Sequence, residues 1–365
     1  MSAAPGRPSQ ARTSALKGRG SLNKRWSARA VLSAGGLLLA CAFAWGSARG
    51  AFAIAPPELL RVLWDLLHGD TQASTAHQVF ASIRLPRLLL GIAAGGGLGL
   101  AGALMQGLFR NPLADPGLIG VSSGAALAAG ITIVVGLWWF PSMPRALGSW
   151  TLVLMAFGGS LTVTLLIYML AQSGGTTQMG LMLLAGVAVN ALASAGLGFL
   201  SFMATDEQLR NIQFWLLGSL GGARWSSVAL VGTIVLAAGA VGLALARPLN
   251  ALALGEAQAR LLGVDVERVK RSAVVVTAVA VGAVTAATGI IGFIGLIAPH
   301  WVRLVAGPDH RIVLPASALL GAALVLAADV VARTIFSPAE LPLGVLTAFI
   351  GVPMFLLMLR HLRER

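Results

Sequence analysis

With 365 residues, 57% of them apolar, a mean hydropathy of +0.83 and only 11% charged, the chain reads as an integral membrane protein. Apolar runs of about 20 residues recur from end to end and leave no room for a separate soluble domain. The net charge of +13 does not point to nucleic acid, because the basic residues flank apolar runs and are not interleaved with aromatics; it reports topology instead.

Residues 1–29 hold seven Lys/Arg and no acid, so they are expected to form a disordered basic cytoplasmic tail. A single transmembrane domain follows over 30–365. Its first span is Ala30–Ala48, which contains the only cysteine, Cys41; a lone Cys excludes an intramolecular disulfide and reads as a small core residue. The rival reading of this run is a signal-peptide core cleaved near Ala51, Phe52 and Ala53. It conflicts with the long basic leader and with a run that nearly crosses a bilayer. Gly50–Ser82 is mixed, with Pro56, Pro57, Asp65, His68 and Asp70, and reads as the first outside segment.

Spans are then expected at Leu85–Phe109, Leu118–Phe140, Leu147–Ala171, Met179–Met203 and Val228–Ala246, and, beyond a charged island, at Ser272–Val305, Ile312–Val331 and Leu343–Leu359. The Ser272–Val305 run is too long for one crossing, and Gly289, Gly292, Gly295 and Pro299 mark its break. Counted as two, it gives an all-α polytopic fold of about ten membrane helices, several of them broken or short.

Ten spans put both termini on one side. Eighteen of the 26 Lys/Arg then lie inside, and the eight outside are Arg49, Arg61, Arg84, Arg87, Arg145, Arg210, Arg224 and Arg333. That bias places both ends in the cytoplasm. Gly107–Gly120 and Gly295–Pro315 each close an apolar span with Pro, a basic residue and an Asp beside Pro. Spans five apart would run in opposite directions, as an inverted repeat requires.

The island, Pro248–Arg271, holds Glu256, Arg260, Asp265, Glu267, Arg268, Lys270 and Arg271. Leu254, Leu261 and Leu262 share one helical face, with Glu256, Gln258 and Arg260 elsewhere. Gly263 suits a helix end, and Asp265 can cap the next helix with Glu267 in its first turn. Two short helices joined at Gly263 and held at the cytoplasmic surface resemble a docking element for a soluble partner; the alternative is an interfacial loop with snorkelling side chains.

No enzyme motif is visible. The three lysines, Lys17, Lys24 and Lys270, are not placed for a phosphate-binding loop, so the chain is not its own P-loop ATPase. Metal-diphosphate, zinc-protease and nucleophile-elbow patterns are also missing. Among the remaining polar residues, Arg84 and Arg87 bracket Pro86 at the mouth of a span and Arg333 ends another. Exposed cations there would either pair with acids of an outside partner or anchor helices among headgroups. Asp329 is expected to pair with Arg333 one turn on. His300 either ligates or, the plainer reading, bonds carbonyls freed at Pro299.

Several stretches together resemble one family. They are Arg84-Leu85-Pro86-Arg87, AGALMQGLFRNPLADPGLIGVSSGAALAA with its Asn111-Pro112, LGEAQARLLGV, GIIGFIGLIAPHWVRL, GPDHRIVLP, ADVVAR and AELPLGVLTAFIGVPMF. In this order they are similar to the FecCD-type permease subunits of bacterial importers for vitamin B12, iron-siderophores and heme, over nearly all of Val31–Leu359. The resemblance implies a homodimer in the inner membrane, with two ATPase chains beneath it carrying ATP and Mg, and a periplasmic substrate-binding protein above. It implies no cofactor, metal or catalytic residue on this chain, and neither enzyme activity nor nucleic acid.

Residue by residue, the resemblance implies ATPase coupling through Leu254, Gly255, Glu256, Arg260, Leu261 and Gly263. Binding-protein docking falls to Arg84, Arg87 and Arg333. A short outside helix, Asn211–Gly222, would form the periplasmic gate region with Phe214, Trp215, Gly218 and Gly221, and Pro86, Asn111, Pro112, Pro299 and Asp329 are structural. The wording of TDEQLRNIQFWLLGSLGGARW is most similar to heme permeases, ahead of siderophore and cobalamin ones, although no His, Tyr or Met pair identifies itself as ligating heme iron. The rival class is a stand-alone channel or ion-coupled carrier, with a membrane enzyme third.

Overall fold

The computed structural model describes residues 26–50, 56–68, 74–139 and 148–363. The basic tail up to residue 25 lies outside them. Among the described residues the chain is helical, apart from a two-residue-stranded hairpin, Gln172–Ser173 with Thr176–Thr177.

Sixteen α-helices follow in order among the described residues: α1 Ala28–Ala48, α2 Pro56–His68, α3 Thr75–Val79, α4 Leu85–Leu108, α5 Val121–Val134, α6 Gly136–Trp139, α7 Trp150–Leu170, α8 Met179–Met203, α9 Asp206–Leu217, α10 Trp225–Ala244, α11 Ala246–Leu252, α12 Glu256–Leu261, α13 Val266–Thr288, α14 Ile294–Ala306, α15 His310–Thr334 and α16 Leu343–Arg363. Eight helical stretches among the described residues are long and apolar enough to cross a membrane, and α5 and α14 are shorter apolar helices. Together they make the ten expected spans.

Polar residues mark the ends. Ser27 caps α1 by accepting from the Ala30 amide, Thr205 and Gln208 form a reciprocal capping box at α9, and Asp265 caps α13 by accepting from Arg268 N. Helices α4, α13 and α15 are buried over most of their length, whereas little of α1, α7, α8, α10 and α16 is buried. The core is therefore three central helices, jacketed by helices whose exposed Leu, Val and Phe side chains suit lipid.

Glycine lets the central helices touch. A Cβ at Gly95 would run into the Gly321 backbone, and one at Gly102 would run into the Gly295 carbonyl. Large residues there would force α4 off α15 and α14. Pro299, four residues after Gly295, has no N–H to offer that carbonyl, so the spot where helix bonding lapses is the spot where α4 comes closest.

Several expectations need correction. Helix α4 does not start at a break before Leu85. It continues a helix begun at Thr75, through a π-helical turn at Phe80–Arg84 that absorbs the donor missing at Pro86. The outside segment Gly50–Ser82 is accordingly helical at α2 and α3. The run Leu118–Phe140 opens as a 3-10 turn at Pro116–Ile119, passes Gly120 at φ +81°, and gives the 14-residue α5 followed by the four-residue α6. The break after Thr288 is confined to residues 289–293, with Gly289 at φ +71° and Phe293 at φ +66°. Gly295 and Pro299 lie inside α14, because a proline in the second turn of a helix needs only one bond withdrawn.

Cys41 is exposed, since α1 buries Val31, Gly35, Ala42, Gly46 and Ser47 and turns Cys41 away from them. The stretch Gly295–Pro315 lies over α14, the eighth span, whereas Gly107–Gly120 follows the second. The two are not five spans apart. Of the five pairs that are five apart, α4 with α13 are both central and α5 with α14 both short.

Candidate functional site: the two ends of the bundle

The island sits at one end. Helix α11, which the sequence did not reveal, leads to Gly255 at φ +116° and the single-turn-and-a-half α12. Ala259 is fully buried, whereas Leu254, Leu261 and Leu262 are 65%, 88% and 64% exposed. The leucine stripe thus faces away from the bundle, an apolar patch on a charged surface. Gly263 adopts φ +80° and closes the turn. Beyond it comes no second short helix, because α13 runs from Asp265 unbroken into the membrane core.

Lys270 ties these pieces together. It is 2% exposed and donates to Glu256 Oε2 at 2.9 Å, Glu267 Oε1 at 3.1 Å and the Thr177 carbonyl at 2.7 Å. Glu267 Oε2 in turn accepts from Thr177 N at 2.8 Å. One ammonium therefore joins α12, the first turn of α13 and the hairpin between α7 and α8. Arg260, by contrast, lies 4.0 Å from Glu256 and is half exposed, a weak pair.

A second knot lies beside α11. Asn250 Oδ1 accepts from the His310 amide at 2.9 Å, and Asn250 Nδ2 donates to Asp309 Oδ1 at 2.7 Å. Hydrogen bonds and charge from Arg311 hold the Asp309 carboxyl down at about 2. Asn111, after α4, accepts from Leu113 N at 2.9 Å and, with Pro112, turns the chain towards α5.

The opposite end holds the arginines, and they are not exposed. Arg84, Arg87 and Arg333 are 3%, 9% and 7% exposed. The π-turn carries the chain past Pro86 so that Arg84 and Arg87 both face inward. Arg84 donates to the Ser47 carbonyl at 2.6 Å and Arg333 to the Gly46 carbonyl at 2.7 Å, so two cations close the C-terminus of α1.

Arg87 Nε donates to Asp329 Oδ1 at 3.0 Å, while its Nη1 and Nη2 hold Glu340 Oε1 and Oε2 at 2.8 and 2.9 Å. Asp329 pairs with Arg333 Nε at 3.4 Å as expected, but Arg87 is its nearer partner at 2.9 Å. The bidentate Arg87 fork holds the Glu340 carboxyl below its ordinary range. Sequence reasoning missed Glu340; its signal was being the only acid between the last two spans.

The gate region adjoins this cluster. Helix α9 starts at Asp206 and ends at Leu217, so Phe214 and Trp215 are helical while Gly218 and Gly221 lie in the turn after it. This corrects the expected Asn211–Gly222 boundaries: the Thr205 capping box starts the helix early, and Gly218 at φ +68° stops it. Ser219 N donates to the Thr288 carbonyl at 2.7 Å and Leu343 N to the Gly218 carbonyl at 3.0 Å. A Cβ on Gly221 would sit 3.4 Å from Glu340 Oε2. Phe214 is 66% exposed. His300 is half-buried in the second turn of α14. Among the described residues no group of three or more His, Cys, Asp or Glu side chains is placed to hold a metal ion.

Ten spans around three buried helices, an outward-facing leucine patch on a charged loop, and knotted arginines at the far end define a polytopic membrane permease. The chain belongs to the FecCD transport family, which matches residues 37–361, and is a permease of the ABC importer type. It is 42% identical over 330 residues to the hemin transport system permease protein HmuU of Yersinia pestis, covering 90% of this chain and 95% of that relative. It is 44% identical over 291 residues to the cobalamin import system permease protein BtuC of Halobacterium salinarum, covering 80% and 76%. The fold matches a solved inward-facing metal-chelate type ABC transporter at TM-score 0.80 and 29% identity, over 91% of this chain and 99% of that one. In importers of this type a separate ATPase chain hydrolyses ATP. The rival reading, a stand-alone channel or ion-coupled carrier, gives way to the expected importer permease.

Proposed function

We propose that this permease moves heme across the bacterial inner membrane by alternating access, as a homodimer bound to two ATPase subunits and supplied by a periplasmic binding protein. The observation that carries heme is the match to a hemin permease across 95% of its length; the cobalamin relative is slightly more identical over a shorter stretch. Both termini lie in the cytoplasm, following the Lys/Arg bias. ATP and Mg reside on the ATPase chains, and this chain holds no cofactor of its own.

The ATPase cleft receives α12 with its exposed Leu261 and the flanking, exposed Leu254 and Leu262. Its closure on ATP displaces α12, and Lys270 passes that displacement to α13, whose far end is bonded through Thr288 to the Ser219 turn. The gate at Phe214–Gly221 thereby answers to the coupling end. Arg84, Arg87 and Arg333 receive acidic residues of the binding protein.

The test is binding-protein-dependent uptake into proteoliposomes of the assembled importer, with heme, a ferric siderophore and cobalamin compared. Preferential heme uptake is expected. Cobalamin uptake with heme excluded would replace the heme assignment, in line with the vitamin B12 permease relative from Salmonella arizonae, 40% identical over 295 residues.

A further inference from the structure

The outer arginine cluster holds a carboxylate site that is already filled from within. All three nitrogens of the Arg87 guanidinium are engaged, Nε and Nη2 by Asp329 and the Nη1/Nη2 fork by Glu340. The two acids differ in what holds them. Asp329 is 1% exposed, belongs to the central helix α15 and is shared with Arg333, so its departure would leave two buried cations uncompensated. The Glu340 side chain is 46% exposed and sits on a wholly exposed stretch, 334–340, at the end of α15. Only Glu340 can leave.

We propose that Glu340 is an internal stand-in for an acidic side chain of the periplasmic binding protein, and that docking exchanges one carboxylate for the other on Arg87. This rests on the docking reading above. A planar guanidinium fork accepts one bidentate carboxylate at a time, so the partner cannot reach Arg87 until Glu340 moves out. Exchange of like for like preserves the number of charge-assisted bonds, so docking carries little net electrostatic gain and stays reversible. Self-occupancy also spares a buried arginine from standing unpaired between encounters.

The exchange reaches the gate. Leu341, next to Glu340, donates from its amide to the Ala332 carbonyl at 2.9 Å, and the Glu340 carboxylate occupies the space a Cβ on Gly221 would face at 3.4 Å. Withdrawal of Glu340 therefore removes a wall of the 218–221 turn.

The experiment measures the affinity of the purified cognate binding protein for the assembled importer in nanodiscs at low and high salt. Glu340→Gln keeps the size and removes the competing charge; its Kd is expected to fall about tenfold, with a steeper salt dependence. Glu340→Ala should act in the same direction and Glu340→Asp, which keeps the charge with a shorter reach, should stay near wild type. An unchanged or weakened affinity in both Glu340→Gln and Glu340→Ala, while Arg84→Glu/Arg87→Glu abolishes binding, would overturn the exchange and leave docking standing. If Arg84→Glu/Arg87→Glu leaves affinity unmoved, the docking reading itself falls and the exchange with it.

Discussion

Replacing Lys270 by Met keeps the aliphatic stem and deletes the ammonium that joins α12, α13 and the 172–177 hairpin. Three contacts vanish, to Glu256, Glu267 and the Thr177 carbonyl. Breaking a buried ion pair typically costs 3–5 kcal/mol, but both carboxylates here are about a third exposed and recover water. The Thr177 carbonyl keeps no ammonium donor, and a hydrogen bond to a charged group is worth about 1.5–3 kcal/mol. We therefore expect a loss of about 2–3 kcal/mol, concentrated where α12 is stapled to α13.

The functional signature is separate from the stability one. In proteoliposomes with the ATPase and binding protein present, Lys270→Met should retain ATP hydrolysis while substrate imported per ATP falls by about tenfold, as ~1.4 kcal/mol of lost coupling would give. Thermal melting of the detergent-solubilised complex reads stability, and paired uptake and phosphate-release assays read coupling. An unchanged melting point with an unchanged transport-to-ATP ratio would refute the clamp. A proportional fall in both activities would reduce Lys270 to a folding residue.

Asp329→Asn leaves Arg87 and Arg333 short of a buried partner and should destabilise by about 3–5 kcal/mol, read as loss of monodisperse protein on size exclusion. Gly102→Val should push α4 away from the Gly295 carbonyl and cost at least about 1–3 kcal/mol, whereas Gly36→Val, where a Cβ meets open space, should melt like wild type. The Asp309 carboxyl is held down to about 2 by Arg311. Its folded value lies below its unfolded one, so its stabilisation is present above about pH 4 and fades as pH falls towards 2. Melting curves across that window should flatten in Asp309→Asn.

The spans were legible because hydropathy needs no partner: Met179–Met203 falls on α8 to the residue. Helix ends were legible where a cap was local, as at Asp265. What escaped was set by distance along the chain. Arg87 and Glu340 stand 253 positions apart, and no pattern around either names the other, so the arginines read as exposed cations and are in fact buried ones. Lys270 stood in plain view three residues from Glu267, yet its third partner is a backbone carbonyl in a hairpin too short to announce itself. Proline misled twice in the same way. Pro86 and Pro299 read as boundaries, and a π-turn in one case and a glycine contact in the other let the helices pass through them.

The two short spans have a consequence for the membrane itself. A helix rises ~1.5 Å per residue, so α5 and α14, with 14 and 13 residues, reach only about 20 Å into a hydrocarbon layer of ~30 Å. The missing ~10 Å of each path falls to chain outside α5 and α14: the single-turn α6 after α5, and the stretches 112–120, with its 3-10 turn at Pro116–Ile119, and 289–293, no residue of which is exposed. Main-chain amides and carbonyls are thus carried to bilayer depth under a cover of protein, at places five spans apart and hence oppositely directed. Each half of the molecule contributes one such covered stretch of irregular backbone.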